Sequence, residues 1–412
     1  MKKTSITIFL LFISLSSFLY AQNNFIEKLL NDNKNLFSDV LTNIDSFEVQ
    51  IIYTQIDRNE NNFPSFTTFK YRVNPQDYFY PASTVKLPTA ILALEKLNNL
   101  NIDGLDKNTS LKVDSVRAPQ TPATWDSSST TGVPSIANYI KKVFLVSDND
   151  AYSRLYEFIG QQEINESLHK KGFNDVKITN RFAAGFSAED NRYTNPFEFY
   201  KNDKIIYNQP EQYNSNNYTF DLNKLKKGIG YIDSKNNLVK EPYDFSAKNY
   251  ISLEALTEIL KTVIFPETRS TETRFNLTDD DYKFLYKYMS MFPRESKHPS
   301  YDSTYYDSYV KYFLFGDSHE PIKNNIRVFD KVGLAYGYLT DVAYIVDFEN
   351  NVEFMLSAVI LVNKDKIFND DVYEYDEIGK LFLANLGRVI YNYELKRVKK
   401  YLPNLSKFKF DY

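Results

Sequence analysis

The pattern of apolar and polar positions predicts strands near both ends of the chain, and in residues 47–56 the two kinds alternate. Residues 47–56 are rich in β-branched side chains and predict a strand, and residues 66–72 predict the strand that returns after a polar turn. Close to the C-terminus, residues 326–332, 339–348 and 352–362 predict three consecutive strands joined by short turns. The two ends of the chain therefore supply the extended structure.

Apolar residues recur at helical spacing in the long stretch between these strands and again after them. This pattern predicts helices over residues 83–97, 135–145, 150–160, 161–171, 252–264, 280–290 and 374–398. Residues 104–134 and 197–250 are polar and weakly patterned, so we expect them to be irregular.

This order of elements predicts an α/β fold of the α+β kind, in which one antiparallel sheet built from both termini is flanked by helices. The sheet subdomain takes in residues of about 40–80 and 325–400. An inserted, mostly helical subdomain covers about 83–320, with an expanded segment at about 173–325. The chain is thus expected to form one unit of two interleaved subdomains.

The N-terminus has the layout of a secretory signal peptide. Two lysines precede the apolar stretch Ile6–Tyr20, and Ala21 offers a small residue for cleavage. We expect residues 1–21 to be removed and the domain to span 22–412, in a periplasmic or secreted protein. An uncleaved anchor is the alternative, because Leu19 suits the cleavage site poorly. No second apolar run is long enough to cross a membrane, so no integral membrane segment is expected after cleavage.

Composition excludes several kinds of chemistry. The 412 residues include no Cys and only three His, which removes thiolate chemistry and makes a His-based metal centre or catalytic triad improbable. We expect no metal and no cofactor. The net charge of −4 argues against a nucleic-acid partner. Serine and lysine remain as a possible nucleophile and base.

Ser83 and Lys86 form an S-x-x-K motif at the start of a predicted helix. Residues three apart lie on one helical face, so the lysine can take the serine proton if burial lowers its pKa. The motif also occurs at Ser167, Ser308 and Ser406, where a surface serine and lysine are the simpler interpretation. Only Ser83 follows a predicted strand pair and opens an apolar helix.

Two further motifs follow along the chain. Ser147-Asp148-Asn149 is the only S-D-N in the chain. It either caps the helix that follows, or it supplies a second hydroxyl from Ser147 and an amide from Asn149 for the substrate. Lys331-Val332-Gly333 lies on the first predicted C-terminal strand, where glycine permits close approach and lysine adds positive charge.

The order S-x-x-K, S-D-N, K-x-G resembles the signature of class A serine β-lactamases and the related penicillin-binding proteins. The 64 residues between Ser83 and Ser147 and the surrounding predicted elements fit this family. The resemblance implies the β-lactamase/D-alanyl-peptidase-like fold. It also implies a small-molecule partner, either a β-lactam or an acyl-D-Ala-D-Ala peptide.

The resemblance assigns a role to each motif residue. Ser83 is implied to be the acylated nucleophile, Lys86 its proton partner, and Ser147 a proton relay. Asn149 and Lys331 are implied to hold the substrate, and Gly333 lets the substrate backbone approach. The backbone N–H groups of Ser83 and Leu334 are implied to form the oxyanion hole.

The chain departs from the family pattern at two places. Val332 stands where the family has Thr or Ser, whose hydroxyl helps to hold the substrate carboxylate. In the family a Glu about ten residues after Gly172 activates the water that removes the acyl group, but the chain has Arg181-Phe182-Ala183-Ala184 there. Glu189 is the nearest alternative, and a solvated loop residue is the simpler interpretation.

Three functions remain open at this stage. The first is a secreted hydrolase of the class A β-lactamase type that works through a Ser83 acyl-enzyme. The second is a penicillin-binding-protein-like D-alanyl peptidase or amidase that turns lactams over slowly. The third is a non-catalytic exported binding protein on the same fold.

Overall fold

The computed structural model describes residues 24–412. The predicted signal peptide, residues 1–21, lies outside the described residues. Within residues 24–412, no helix combines the length and the apolar character needed to cross a membrane.

The helices and strands have the following bounds. The helices are α1 (24–32), α2 (Ser38–Thr42), α3 (Lys86–Leu100), α4 (Ile136–Val146), α5 (Asn149–Ile159), α6 (Gln161–Lys170), α7 (Leu253–Ile264), α8 (Asp279–Ser290) and α9 (Leu381–Lys396). The strands are β1 (Gln50–Arg58), β2 (Pro64–Tyr71), β3 (Ser110–Val113), β4 (Val176–Lys177), β5 (Phe197–Lys201), β6 (Lys204–Gln209), β7 (Lys226–Lys227), β8 (Gly230–Ile232), β9 (Leu238–Val239), β10 (Tyr243–Asp244), β11 (Tyr250–Ile251), β12 (Ile326–Ala335), β13 (Tyr338–Asp347), β14 (Val352–Leu361) and β15 (Ile367–Phe368).

The main sheet has the strand order β12-β13-β14-β1-β2, and all its neighbours pair antiparallel. It is built from both ends of the chain, so the predicted fold class is confirmed. Strands β12 and β13 are joined by the two-residue turn Tyr336-Gly337, in which both residues have positive φ, as a tight hairpin requires. Strand β12 lies at one edge and leaves one side free of sheet pairing.

Side chains alternate between two cores on the opposite faces of this sheet. Along β13, Val342 and Tyr344 face the core shared with α3 to α8, whereas Ala343 and Ile345 face the core under α1, α2 and α9. Because both faces of this strand are buried, it contains an almost continuous apolar run rather than an apolar and polar alternation. Helices therefore cover both faces of the sheet.

The helices agree with the predicted pattern at most positions. Ser135, Ser252 and Thr278 cap α4, α7 and α8 by accepting backbone N–H groups, which explains why these helices start where they do. The last predicted helix, residues 374–398, is divided into the π-helical turn Tyr375–Lys380 and α9.

The segments expected to be irregular contain more structure than predicted. Strand β3 lies within 104–134, and seven short strands from β5 to β11 lie within 197–251. The segment between α6 and α7 therefore contains short strands where the sequence pattern predicted irregular structure. These strands are two to six residues long, which is too short for alternation to be recognised against an Asn- and Tyr-rich background.

Candidate active site

A cleft of about 430 Å³ lies between the edge strand β12 and the helical layer. Four of the residues singled out from the sequence line it: Ser83, Ser147, Asn149 and Leu334. Lys86 and Lys331 are buried, and both contact Ser147. The structure thus brings together three motifs that are distributed over residues 83–333 of the sequence.

Ser83 lies in a 3-10 turn, Ala82–Val85, that leads directly into α3. The α-helix itself begins at Lys86, three residues later than the sequence pattern predicted. Ala82 has a φ of 46°, a left-handed conformation that is costly for a residue with a side chain and is often found at functional sites. This sharp turn leaves Ser83 partly exposed at the cleft while its neighbours are buried.

Gly333 allows β12 to approach the Ser83 turn closely. A Cβ at this position would lie 2.5 Å from the carbonyl oxygen of Pro81 and 3.2 Å from the backbone nitrogen of Ser83. Any side chain at Gly333 would push the two segments apart. Leu334 follows on the same edge strand and lines the cleft, where the resemblance places an oxyanion-hole N–H.

Lys86 is fully buried and held by the S-D-N segment. Its Nζ donates hydrogen bonds to the Ser147 carbonyl oxygen at 2.5 Å and to Asn149 Oδ1 at 2.7 Å, and lies 3.3 Å from Ser147 Oγ. Burial lowers the pKa of Lys86 well below its usual 10.5, and the positive charge of Lys331 lowers it further. The lowered pKa favours the neutral amine of Lys86, the form that can accept a proton.

The S-D-N segment is a turn between two helices. Ser147 ends α4 with a φ of 58°, and Asp148 caps α5 by accepting the N–H of Ala151 at 2.8 Å. The capping interpretation is therefore correct for Asp148. Ser147 and Asn149, on either side of it, face the cleft and bind Lys86.

Lys331 approaches Ser147 from the sheet side. Its Nζ donates to Ser147 Oγ and to the carbonyl oxygen of Val332, both at 2.9 Å. Burial lowers the pKa of Lys331 to about 7, although the adjacent Asp330 carboxylate opposes the shift. Asp330 forms a buried ion pair with Lys311, so its negative charge is already partly compensated.

The cleft also contains residues that the sequence did not single out. Tyr306, Tyr309 and Tyr312 form one wall, and Phe182 and Lys380 line the same space. The only signal for the tyrosines was their density in the segment 301–312, which has no periodicity that would assign them to a site.

Two other residues considered from the sequence lie outside the cleft. Glu189 is exposed and 3.4 Å from Arg192, as expected for a solvated loop residue. Trp125 is 69% exposed and packs over Gly132 rather than forming a wall of the cleft.

A larger cavity of about 940 Å³ lies elsewhere, between the 39–48 segment and the 361–368 loop. It contains none of the motif residues, so we place the candidate site in the smaller cleft, where the predicted nucleophile and base converge. Within residues 24–412, no group of three or more His, Asp or Glu side chains is arranged to hold a metal ion.

Residues 35–226 match the sequence model of a family described as the β-lactamase enzyme family. The resemblance expected from the motifs is therefore confirmed over this range, which includes S-x-x-K and S-D-N. The K-x-G motif lies beyond it and reaches the same cleft through β12. None of the curated protein sequences matches the chain.

Solved structures of similar proteins cover most of the chain at low identity. A β-lactamase from Sphaerobacter thermophilus DSM 20745 is 11% identical, covers 87% of this chain and 94% of its own, and has a TM-score of 0.48. A class A β-lactamase from Clostridium kluyveri DSM 555 is 14% identical over 87% and 96%, with a TM-score of 0.46. The structure of PBP-A is 11% identical over 87% and 95%, with a TM-score of 0.46.

Proposed function

We propose that this chain, which matches the β-lactamase enzyme family over residues 35–226, is a serine hydrolase that opens a β-lactam amide through a Ser83 acyl-enzyme. The observation that carries the proposal is the buried Lys86 amine, held by Ser147 and Asn149 behind the Ser83 turn. In the neutral form, the two hydrogens of the amine serve the two shorter of its three hydrogen bonds, those to the Ser147 carbonyl oxygen and Asn149 Oδ1. Its lone pair is then available for the proton of the Ser83 hydroxyl.

In the proposed reaction, Ser83 Oγ attacks the lactam carbonyl carbon while its proton moves to Lys86 Nζ. The C–N bond then breaks, and the leaving nitrogen takes a proton from Ser147 Oγ, which Lys86 re-protonates across 3.3 Å. Lys331 donates to Ser147 Oγ, so the hydrogen of the Ser147 hydroxyl is free to point at the leaving nitrogen. The net result is an ester on Ser83 and a free amine.

The residues around Lys86 and along the cleft favour slow hydrolysis of the acyl-enzyme. The ring centre of Phe182 is 5.3 Å from Lys86 Nζ, and that of Tyr152 is 6.0 Å away. Among the described residues that line the cleft, none is Asp or Glu. Because hydrolysis of the acyl-enzyme needs an activated water, we propose that the adduct is long-lived, as in the penicillin-binding-protein-like alternative.

We also propose that the protein is exported, on the basis of the pattern of residues 1–21. The division of residues 22–412 into two interleaved subdomains likewise remains a prediction.

The test is to incubate residues 22–412 with a chromogenic cephalosporin and to record colour release and intact mass together. We expect a stoichiometric adduct and a slow steady state after the first turnover. Ser83→Ala should abolish the adduct, whereas Ser167→Ala, at another S-x-x-K match outside the cleft, should not. The absence of an adduct with any lactam would contradict the proposal and leave the non-catalytic binding protein.

A further inference from the structure

The tyrosine wall of the cleft comes from an irregular segment, residues 296–325, between α8 and β12. Tyr306, Tyr309 and Tyr312 face the space into which Ser83 opens. Tyr80 and Phe182 line the same space, so five of the residues that line the cleft are aromatic. None of these rings is needed for the chemistry proposed at Ser83, and their common property is a flat apolar face.

The rings of the wall are held in fixed orientations by one another. Tyr306 stacks on His319 with ring centres 3.8 Å apart, and it meets Tyr309 edge-on at 5.8 Å. Tyr305 packs against Tyr309 from another side at 5.0 Å. Tyr309 nevertheless keeps 36% of its surface exposed, which leaves contact area for a ligand.

Buried carboxylates fix the backbone that carries the wall. Asp307 accepts hydrogen bonds from Arg294 Nε at 2.7 Å and from the N–H of Ile322 at 2.8 Å. Asp341, on β13, accepts the N–H of Tyr312 at 3.2 Å. A segment without regular structure is thereby tied to the sheet. The wall is preorganised, so a ligand that binds it loses little free energy to ordering the protein.

The charge around the wall favours a neutral or anionic ligand. Lys380 lines the cleft with its Nζ 6.0 Å from the Tyr312 ring centre. Its partner Asp376 is 77% exposed, so this ion pair is well solvated and can rearrange for a ligand.

We propose that Tyr306, Tyr309 and Tyr312 form a subsite that selects substrates carrying an aromatic acyl group beside the amide attacked by Ser83. The inference rests on the acyl-enzyme proposed above. An aromatic ring stacked on this wall adds binding that a substrate without the ring cannot gain. The wall therefore sets the preference among lactams that share one reactive nucleus.

The test compares benzylpenicillin with 6-aminopenicillanic acid, which has the same nucleus but lacks the phenylacetyl group. The second-order rate constant of adduct formation is measured by intact mass for both compounds, and their ratio is compared between proteins. We expect Tyr309→Leu to lower the preference for benzylpenicillin roughly three- to ten-fold. Tyr309→Phe should retain it, because the ring rather than the hydroxyl makes the contact.

The control is Tyr213→Leu, which removes a tyrosine that is 50% exposed and lies outside the cleft, and which should leave the ratio unchanged. An unchanged ratio in Tyr309→Leu, with both lactams still acylating Ser83, would overturn the aromatic subsite but not the proposed function. Failure of both lactams to acylate the wild-type protein would overturn the proposed function and the subsite with it.

Discussion

Gly333→Ala perturbs the contact between the edge strand β12 and the turn that carries Ser83. The added methyl group would lie 2.5 Å from the carbonyl oxygen of Pro81, about 0.9 Å closer than the 3.4 Å at which ordinary contact begins. The obstructing atom is backbone, so no side-chain rotation can relieve the clash. Either the strand or the turn must therefore move by most of this distance.

A displacement of this size acts directly on the reacting geometry. Misplacing reacting groups by about 1 Å costs on the order of 100-fold in rate. We therefore expect Gly333→Ala to slow acylation of Ser83 by roughly this factor. Overpacking a well-filled site costs about 1–3 kcal/mol of folding stability, so the protein should remain folded.

The assay measures adduct formation against time by intact mass, with the melting temperature recorded for the same sample. Gly230→Ala is the matched control, because its Cβ would lie 3.0 Å from a backbone oxygen in the β8–β9 ribbon, away from the cleft. It should lower stability without slowing acylation. An acylation rate of Gly333→Ala within three-fold of wild type would refute the close-contact reasoning.

Four further predictions follow from charged groups in the site and elsewhere in the fold. Lys331→Met removes a positive charge that lowers the pKa of Lys86. The rise of the acylation rate with pH, on the acidic side of its optimum, should therefore move to higher pH. An unchanged pH profile would show that Lys331 does not affect the pKa of Lys86. Folding also lowers the pKa of Lys331 from 10.5 to about 7, so the folded state binds fewer protons in this window and stability should rise with pH; melting temperatures between pH 7 and 9 should rise less in Lys331→Met. Glu189→Gln should leave acylation and deacylation rates within two-fold of wild type, because Glu189 is exposed outside the cleft; a hundred-fold loss of turnover would instead make it a catalytic base. Glu353→Gln breaks a buried bidentate pair with Arg58 at 2.6 and 2.7 Å, which should cost about 3–5 kcal/mol of unfolding free energy in a urea titration; a loss below 1 kcal/mol would contradict this estimate.

The sequence predicted those elements whose signal is local and repeated. Strands β12, β13 and β14 are each ten residues long and rich in apolar side chains, and α4 and α7 begin at serine caps. Both kinds of element were therefore found within a few residues of their observed bounds. The short strands between α6 and α7 were missed because two to six residues are too few for a period to emerge.

The residues of the candidate site likewise include some that the sequence predicted and some that it missed. Ser83, Lys86, Ser147, Asn149 and Lys331 occur in recognisable motifs, and a family resemblance was enough to group them. The roles assigned to them remain predictions.

Tyr309 and Lys380 could not be found from sequence, because nothing near them indicates which surface they face. Tyr309 reaches the cleft through an irregular segment whose course is set by two buried carboxylates, Asp307 within the segment and Asp341 on β13. Lys380 reaches it from the π-helical turn before α9. Such placements depend on tertiary contacts rather than on local propensity.

The central claim is that Ser83 is the nucleophile, and identifying the modified residue tests it most directly. The protein is incubated with benzylpenicillin, quenched in acid, digested, and the modified peptide is sequenced by mass spectrometry. We predict one added lactam mass per chain, located on Ser83, and no addition to Ser83→Ala. An adduct on a different residue, or an unmodified chain after prolonged incubation with excess lactam, would contradict the account.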